Sequence, residues 1–388
     1  MPKTSETQMR IGLDGKRAVL NNTGLGNYSR YYLNIMSMAF PSTHFILYSP
    51  KNADNERLEP LLARENIELT VPRLRPDCGP VRSWWRTFDM PLRLKDDGID
   101  VYHGLSNELP LTIKNVCPAV VTIHDIIYRR FPKGYTAIDR RLYDFKYGRS
   151  ARIANRVIAI SECTKSDIIK DYGIDPAKID VIYQGVDPIF TLNVDTIKKQ
   201  EIRARYSLPE HYILAVGTVE ERKNLLLAIK ALPELPKAVK LVIVGGMKSE
   251  YAGKVRDEIS RLGLADRVTH LQVPFNDLPV LYADAAFTSY TSRYEGFGLP
   301  VAESLTVGTP VIACTGSCLE EAGGDGAIYV NPDDVRSYTE AALHLLDDKV
   351  FYDIKARQGL RHVRRFTADA FAKATMACYR KAIIDSLS

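Results

Sequence analysis

Residues 292–313 read SRYEGFGLPVAESLTVGTPVIA, with one carboxylate before and one after a Gly-x-Gly-x-Pro turn. Gly296 and Gly298 permit a tight turn with exposed backbone N–H groups, and Pro300 suits the first helical position. Gly308 and Pro310 then close a short helix. A strand-like run, AAFTSY, precedes the turn and another, TPVIACT, follows the helix. Strand, turn, helix and strand in that order make the unit of a parallel α/β sheet. The start of such a helix gathers free N–H groups and about half a positive charge, a favourable place for a phosphate. Glu303 is expected in the first helical turn, where it would complement the dipole by ~0.3–1 kcal/mol, with Glu295 a solvated loop acid. On this stretch alone, that plain reading and a binding role stand level.

The same alternation continues in both directions. MRIGLDG, HFILYSP, IELTV, VYHGL, AVVTIHDI and RVIAIS fill the first half. YILAVG, KLVIVGG, VTHLQV, AAFTSY, TPVIACT and AIYVN fill the second, separated by helical runs such as NLLLAIKALPEL. A chain of 388 residues has room for two domains of roughly 100–200 residues each. We therefore expect two doubly wound, Rossmann-like α/β domains facing across a cleft, at residues 1–190 and 191–368. Residues 369–388 are expected to form a helix that packs on one of them. YQGVDPIFTLN, residues 183–193, reads as the linker, and residues 1–8 as a polar extension.

Other strand ends carry matching parts. In YILAVGTVEERKNLLLAIKAL, Gly217 follows a strand and Arg222 with Lys223 stands at a helix entrance, a pattern suited to clamping phosphate. A solvated basic pair is the blander alternative. MRIGLDGKRAVLNNTGLGNYSRYYLNIM places a loop ending at Gly24 and Gly26 between a strand and a helix. It is a weak relative of the dinucleotide fingerprint, with Ser29 at the third glycine position and no clear ribose acid, so a nicotinamide dehydrogenase is disfavoured. His124 follows the apolar run 119–123, and His103 sits at a similar strand end. Each is more often a structural histidine than a catalytic one, and the strand-tip position raises the functional share for His124.

Composition narrows the field. The net charge of +5 is too weak to argue for nucleic acid. The basic residues cluster, however, at 129–156 and at 73–95, the latter with Trp84, Trp85 and Phe88. Each cluster reads either as a solvated face or as a site for an anionic membrane surface or lipid diphosphate. Six scattered cysteines read as reduced, buried thiols, and the one close pair, Cys314 and Cys318, lacks partners for a metal site. No run approaches the ~20 apolar residues of a membrane span, and no signal peptide is evident, so a cytoplasmic location is expected, with room for peripheral attachment to the inner membrane face. Asp-x-Asp, P-loop, nucleophile-elbow and zincin motifs are absent from the sequence.

EGFGLPVAESLTVGTPVIA, with GTVEERKN, TIHDI, RVIAIS and TGLGNYSRYYL, resembles the signature of the retaining glycosyltransferases of family 4, which have the GT-B fold. The resemblance implies metal-independent transfer of a hexose, mannosyl favoured, from a GDP- or UDP-type nucleotide sugar, with no cofactor. Glu295 would contact the donor sugar, Glu303 the ribose hydroxyls, and Lys223 with Arg222 the diphosphate. Gly296, Phe297, Gly298 and Leu299 would line sugar and phosphates, and Val273 the base. His124 would face the reacting sugar, with Gly24 and Gly26 approaching the diphosphate. The acceptor would be a glycan or a polyprenyl-diphosphate-linked glycan in surface polysaccharide or glycolipid synthesis. Thr218 departs from the pattern, since many members carry Arg there; Arg222 is expected to compensate or phosphate binding to weaken. A nucleotide-sugar epimerase of the same fold and a non-catalytic nucleotide-sugar-binding subunit are the competing readings.

Overall fold

The apolar runs become strands in two all-parallel sheets. A computed structural model describes residues 9–21, 24–52, 55–72 and 85–387. Residues 1–8, and 73–84 with Cys78 and Trp84, lie outside the described residues, as does the side chain of Phe88. The chain divides into two compact units, residues 1–184 with 368–388 and residues 185–367. Residues 185–190 thus belong with the second unit rather than the first.

In the first unit the strands are β1 Arg10–Asp14, β2 His44–Tyr48, β3 Ile67–Thr70, β4 Val101–Gly104, β5 Ala119–Ile123, β6 Arg156–Ala159 and β7 Ile179–Val181. Their order is β3-β2-β1-β4-β5-β6-β7, so the winding reverses between β1 and β4. β4 and β5 are buried along their whole length, as expected of strands covered by helices on both faces. The C-terminal helix Ala368–Asp385 joins this unit, setting Phe371, Met376 and Tyr379 into a core with Tyr28, Tyr32 and Phe45. Ring edges meet there, Phe371 lying 5.3 Å from Tyr31 and 6.2 Å from Tyr28 between centroids.

In the second unit the strands are β8 His211–Val216, β9 Val239–Val244, β10 Val268–Leu271, β11 Phe287–Tyr290, β12 Val311–Cys314 and β13 Ala327–Val330. Their order is β10-β9-β8-β11-β12-β13, and the winding reverses between β8 and β11. In an open parallel sheet, that is where two adjacent connections leave in opposite directions and open a crevice at the strands' carboxyl ends.

The glycine turn at residues 24–26 differs from expectation. Gly24 and Gly26 already belong to the helix Gly24–Ala39. A Cβ on Gly26 would lie 1.8 Å from the backbone oxygen of Asn21, whereas one on Gly24 would meet nothing within 4 Å. Gly26 is therefore required by the close approach of the chain to itself. Gly26→Ala should cost several kcal/mol of stability in chemical denaturation, in the upper range for overpacking. Gly24→Ala should keep the wild-type midpoint, so a fall in its turnover would report a ligand approaching Gly24, and unchanged turnover would remove Gly24 from the site.

Among the described residues no cysteine forms a disulfide. Cys314, Cys318 and Cys378 are buried, but Cys117 and Cys163 are half-buried.

Candidate active site

The expected phosphate-binding cations and the expected sugar-binding carboxylate meet at the β8/β11 crevice. Gly217 leaves β8 with φ +131°, a conformation that disfavours any side chain, and a Cβ there would press on the Lys223 ammonium at 3.3 Å. The chain then makes a single turn over Glu221–Lys223, ended by Asn224 in the left-handed region at φ +51°. The loop after β11 is tied to this turn through backbone groups. The Arg293 N–H donates to the Arg222 carbonyl at 2.8 Å, and Thr291 Oγ1 donates to the carbonyls of Lys223 and Asn224 at 3.0 and 3.1 Å.

That stitching brings Glu295 against both cations. Its Oε1 lies 2.7 Å from Arg222 Nη1 and 2.9 Å from Lys223 Nζ, and accepts from Ser292 Oγ at 2.7 Å and Tyr290 Oη at 3.0 Å. Lys223 Nζ also donates to Tyr290 Oη at 2.8 Å and stands 4.8 Å from that ring's centroid. Burial by itself would raise the Glu295 pKa, but the charges of Lys223 and Arg222 outweigh it and hold the carboxyl at about 2. Burial and the Glu295 charge push the Tyr290 phenol well above its ordinary range. Glu295 is thus ionised and Tyr290 neutral at any physiological pH.

The anticipated helix runs Leu299–Thr306, entered through Gly298 at φ +103°. A Cβ at Gly298 would lie 2.7 Å from Leu319, and the side chain of Phe297 is buried edge-on against Phe366 at 5.1 Å. Glu303 is fifth in the helix, past the first turn in which it was expected, and no acid occupies that turn. Its role as a simple partner of the helix dipole lapses. Instead Glu303 is buried, accepts from Tyr282 Oη at 2.9 Å, and has its pKa pushed up to about 7 by burial, with Asp187 adding to the rise and Tyr282 opposing it.

Arg222 is also occupied elsewhere: Nη2 pairs with Glu220 at 2.6 Å and Nη1 donates to the Tyr294 carbonyl at 3.1 Å. It holds Glu295 in place, whatever it does for the missing arginine at Thr218. Val273 lies half-buried just beyond β10.

In the first unit, His124 follows β5 and is buried. Its Nε2 bonds the Leu105 carbonyl at 2.8 Å and its ring meets Tyr28 edge-on at 4.5 Å, while burial lowers its pKa to about 4. The imidazole is neutral, with the proton on Nε2. His103 is wholly buried between Tyr379 Oη at 2.7 Å and Thr122 Oγ1 at 2.8 Å, a structural histidine.

Tyr290, Ser292 and Tyr282, which touch the two glutamates, were not anticipated. The available signal was a tyrosine ending an apolar strand five residues before Glu295.

Comparison with known proteins gives the family. Residues 210–348 match the family model described as glycosyl transferases group 1, and residues 43–190 match glycosyltransferase family 4. The O-antigen chain mannosyltransferase RfbU of Salmonella typhimurium is 30% identical over 311 residues, covering 78% of this chain and 81% of the relative. The O-antigen chain mannosyltransferase B of Escherichia coli is 26% identical over 386 residues, covering 92% and 96%. The crystal structure of a glycosyltransferase from Rickettsia africae shares the fold with a TM-score of 0.76 at 17% identity, over 97% of this chain and 99% of that one. With two Rossmann-like α/β units of the GT-B class, the chain belongs to the group 1 glycosyltransferases, enzymes that transfer a sugar from donor to acceptor.

Proposed function

We propose that the chain transfers a mannosyl-type hexose from a GDP- or UDP-linked donor to a glycan or polyprenyl-diphosphate-linked acceptor, with retention and without a metal ion, in surface polysaccharide or glycolipid synthesis. The observation that carries the reading is the Lys223–Glu295–Arg222 cluster at the β8/β11 crevice. The two O-antigen mannosyltransferases among its relatives support the sugar and the setting.

As the bond from the anomeric carbon to the diphosphate oxygen breaks, positive charge grows on the sugar and negative charge on the leaving group. We read Lys223, with the Leu299 N–H that opens Leu299–Thr306, as the groups that meet the latter, Lys223 being fixed in advance by Glu295 and Tyr290. Glu295, held ionised, orients the donor through its hydroxyls, and His124, neutral, is suited to a hydrogen bond on the sugar. The departing diphosphate oxygen takes the proton of the acceptor hydroxyl, which forms the new bond from the same face. NMR of the product anomer tests the stereochemistry, and inversion would reject it. A chelator should leave turnover unchanged; loss restored by a divalent cation would reject metal independence. Thermal stability against GDP, UDP, ADP and their sugar conjugates identifies the base, since a ligand at 100 times its Kd adds ~2.7 kcal/mol. No response to any of them would overturn the reading.

Glu303 yields a prediction with an opposed pair of effects. A carboxyl whose folded pKa is raised holds its proton more tightly when folded, so its contribution to stability falls as pH climbs from its ordinary 4.5 to about 7 and then levels. Glu303→Gln keeps the shape without that cost. Its Tm should exceed wild type by a few degrees at pH 8, a margin that shrinks towards pH 4.5, while nucleotide affinity falls about tenfold for want of a carboxylate to accept the ribose hydroxyls. Calorimetric titration with unchanged affinity would remove Glu303 from the ribose, and a pH-independent Tm gain would deny its titration.

A further inference from the structure

The first unit has its own reversal point, between β1 and β4, and charged groups converge there too. Asp14 ends β1 and Glu108 lies just beyond β4, with Arg86 between them. Arg86 Nη2 pairs with Asp14, Nη1 stands 2.8 Å from Glu108 Oε2, and Lys146 is 3.5 Å from Glu108 Oε1. These residues wall a cavity of about 540 Å³, within the ~300–1,000 Å³ usual for small-molecule sites.

Its charges do not balance. Four cations, Lys16, Arg86, Lys146 and Arg149, line it against two carboxylates, Asp14 and Glu108. Trp85 also lines the wall, only 4% exposed, with its indole nitrogen shut off from solvent. The lip is apolar: Leu111, Leu142 and Phe145 are 46%, 44% and 61% exposed. Large apolar side chains grouped at the edge of a cavity mark an interaction site, where the same residues scattered would not. Excess positive charge and an apolar lip together call for an anion that carries an apolar chain.

We propose that this cavity binds the phosphate-bearing end of a lipid phosphate, its anion against Lys16 and Arg149 and the start of its chain against Leu111, Leu142 and Phe145. The inference deepens the acceptor half of the proposed reaction and rests on that reading for the ligand's role as acceptor, though not for its binding.

Farnesyl diphosphate, inorganic diphosphate and farnesol are suitable probes, titrated calorimetrically into the full chain with saturating nucleoside diphosphate present. Farnesyl diphosphate should bind at least about tenfold more tightly than either of the other two. Arg149→Gln and Phe145→Ser should each weaken it by roughly five- to tenfold, with Tm and nucleotide affinity unchanged. Equal binding of farnesol, equal binding of bare diphosphate, displacement by the nucleotide or indifference to both substitutions would each overturn the site. The expected binding pattern without sugar transfer to any lipid phosphate would leave the site standing and reject the acceptor role.

Discussion

Lys223→Ala should lower kcat by about 100-fold or more, the scale of losing one fixed donor aimed at charge that develops in the transition state. The ammonium is held by Glu295 at 2.9 Å and by the Tyr290 hydroxyl at 2.8 Å, so little reorganisation is needed when the diphosphate departs. KM for the donor should rise by less than kcat falls, because the leaving oxygen carries more charge in the transition state than in the ground state. Folding should survive: Glu295 keeps Arg222, Ser292 and Tyr290 as partners. Thermal melts beside steady-state kinetics separate the two effects. Turnover within a few-fold of wild type in a folded Lys223→Ala protein would show that the phosphate charge is met elsewhere, with Arg222 the first alternative.

Period and punctuation made most of this architecture legible before any coordinates. Buried parallel strands are short continuous apolar runs bounded by turns, and β1 to β6 and β8 to β13 each coincide with such a run. β7 escaped because Ile179–Val181 is a three-residue edge strand with a half-buried Asp180 in its middle. The turn at Gly298 was legible because few residues other than glycine tolerate its φ. Glu303 was placed in the first turn, one position too early, because Pro300 was taken to open a helix that starts one residue sooner, at Leu299. At Gly26 a signal for turns stood for something else, a close passage of the backbone past Asn21. The links that make the site a unit were illegible in principle. Tyr290 bridges Lys223, 67 positions away, and Tyr282 reaches Glu303 across 21, separations that register and packing decide and spacing does not.

Glu295→Gln should separate the carboxylate's work in the reaction from its work in the fold. The amide has the same shape and still accepts from Ser292 and Tyr290, but it no longer neutralises Lys223 and Arg222. Arg222 retains Glu220 at 2.6 Å, so the uncompensated charge falls mainly on Lys223. Because the folded pKa of Glu295 is depressed from 4.5 to about 2, its stabilisation is fully present above pH 4.5 and is lost as pH falls through about 2. The full shift corresponds to on the order of 3 kcal/mol. The variant should therefore unfold more easily than wild type at pH 7 and converge on it in acid. Turnover should fall about 100-fold while affinity for the bare nucleotide changes only a few-fold, since the nucleotide lacks the sugar whose hydroxyls the carboxylate orients. Equal losses of bare-nucleotide and donor-sugar binding would reduce Glu295 to a brace for the two cations. A stability difference unchanged between pH 7 and pH 2 would mean that the pair of cations does not hold its charge.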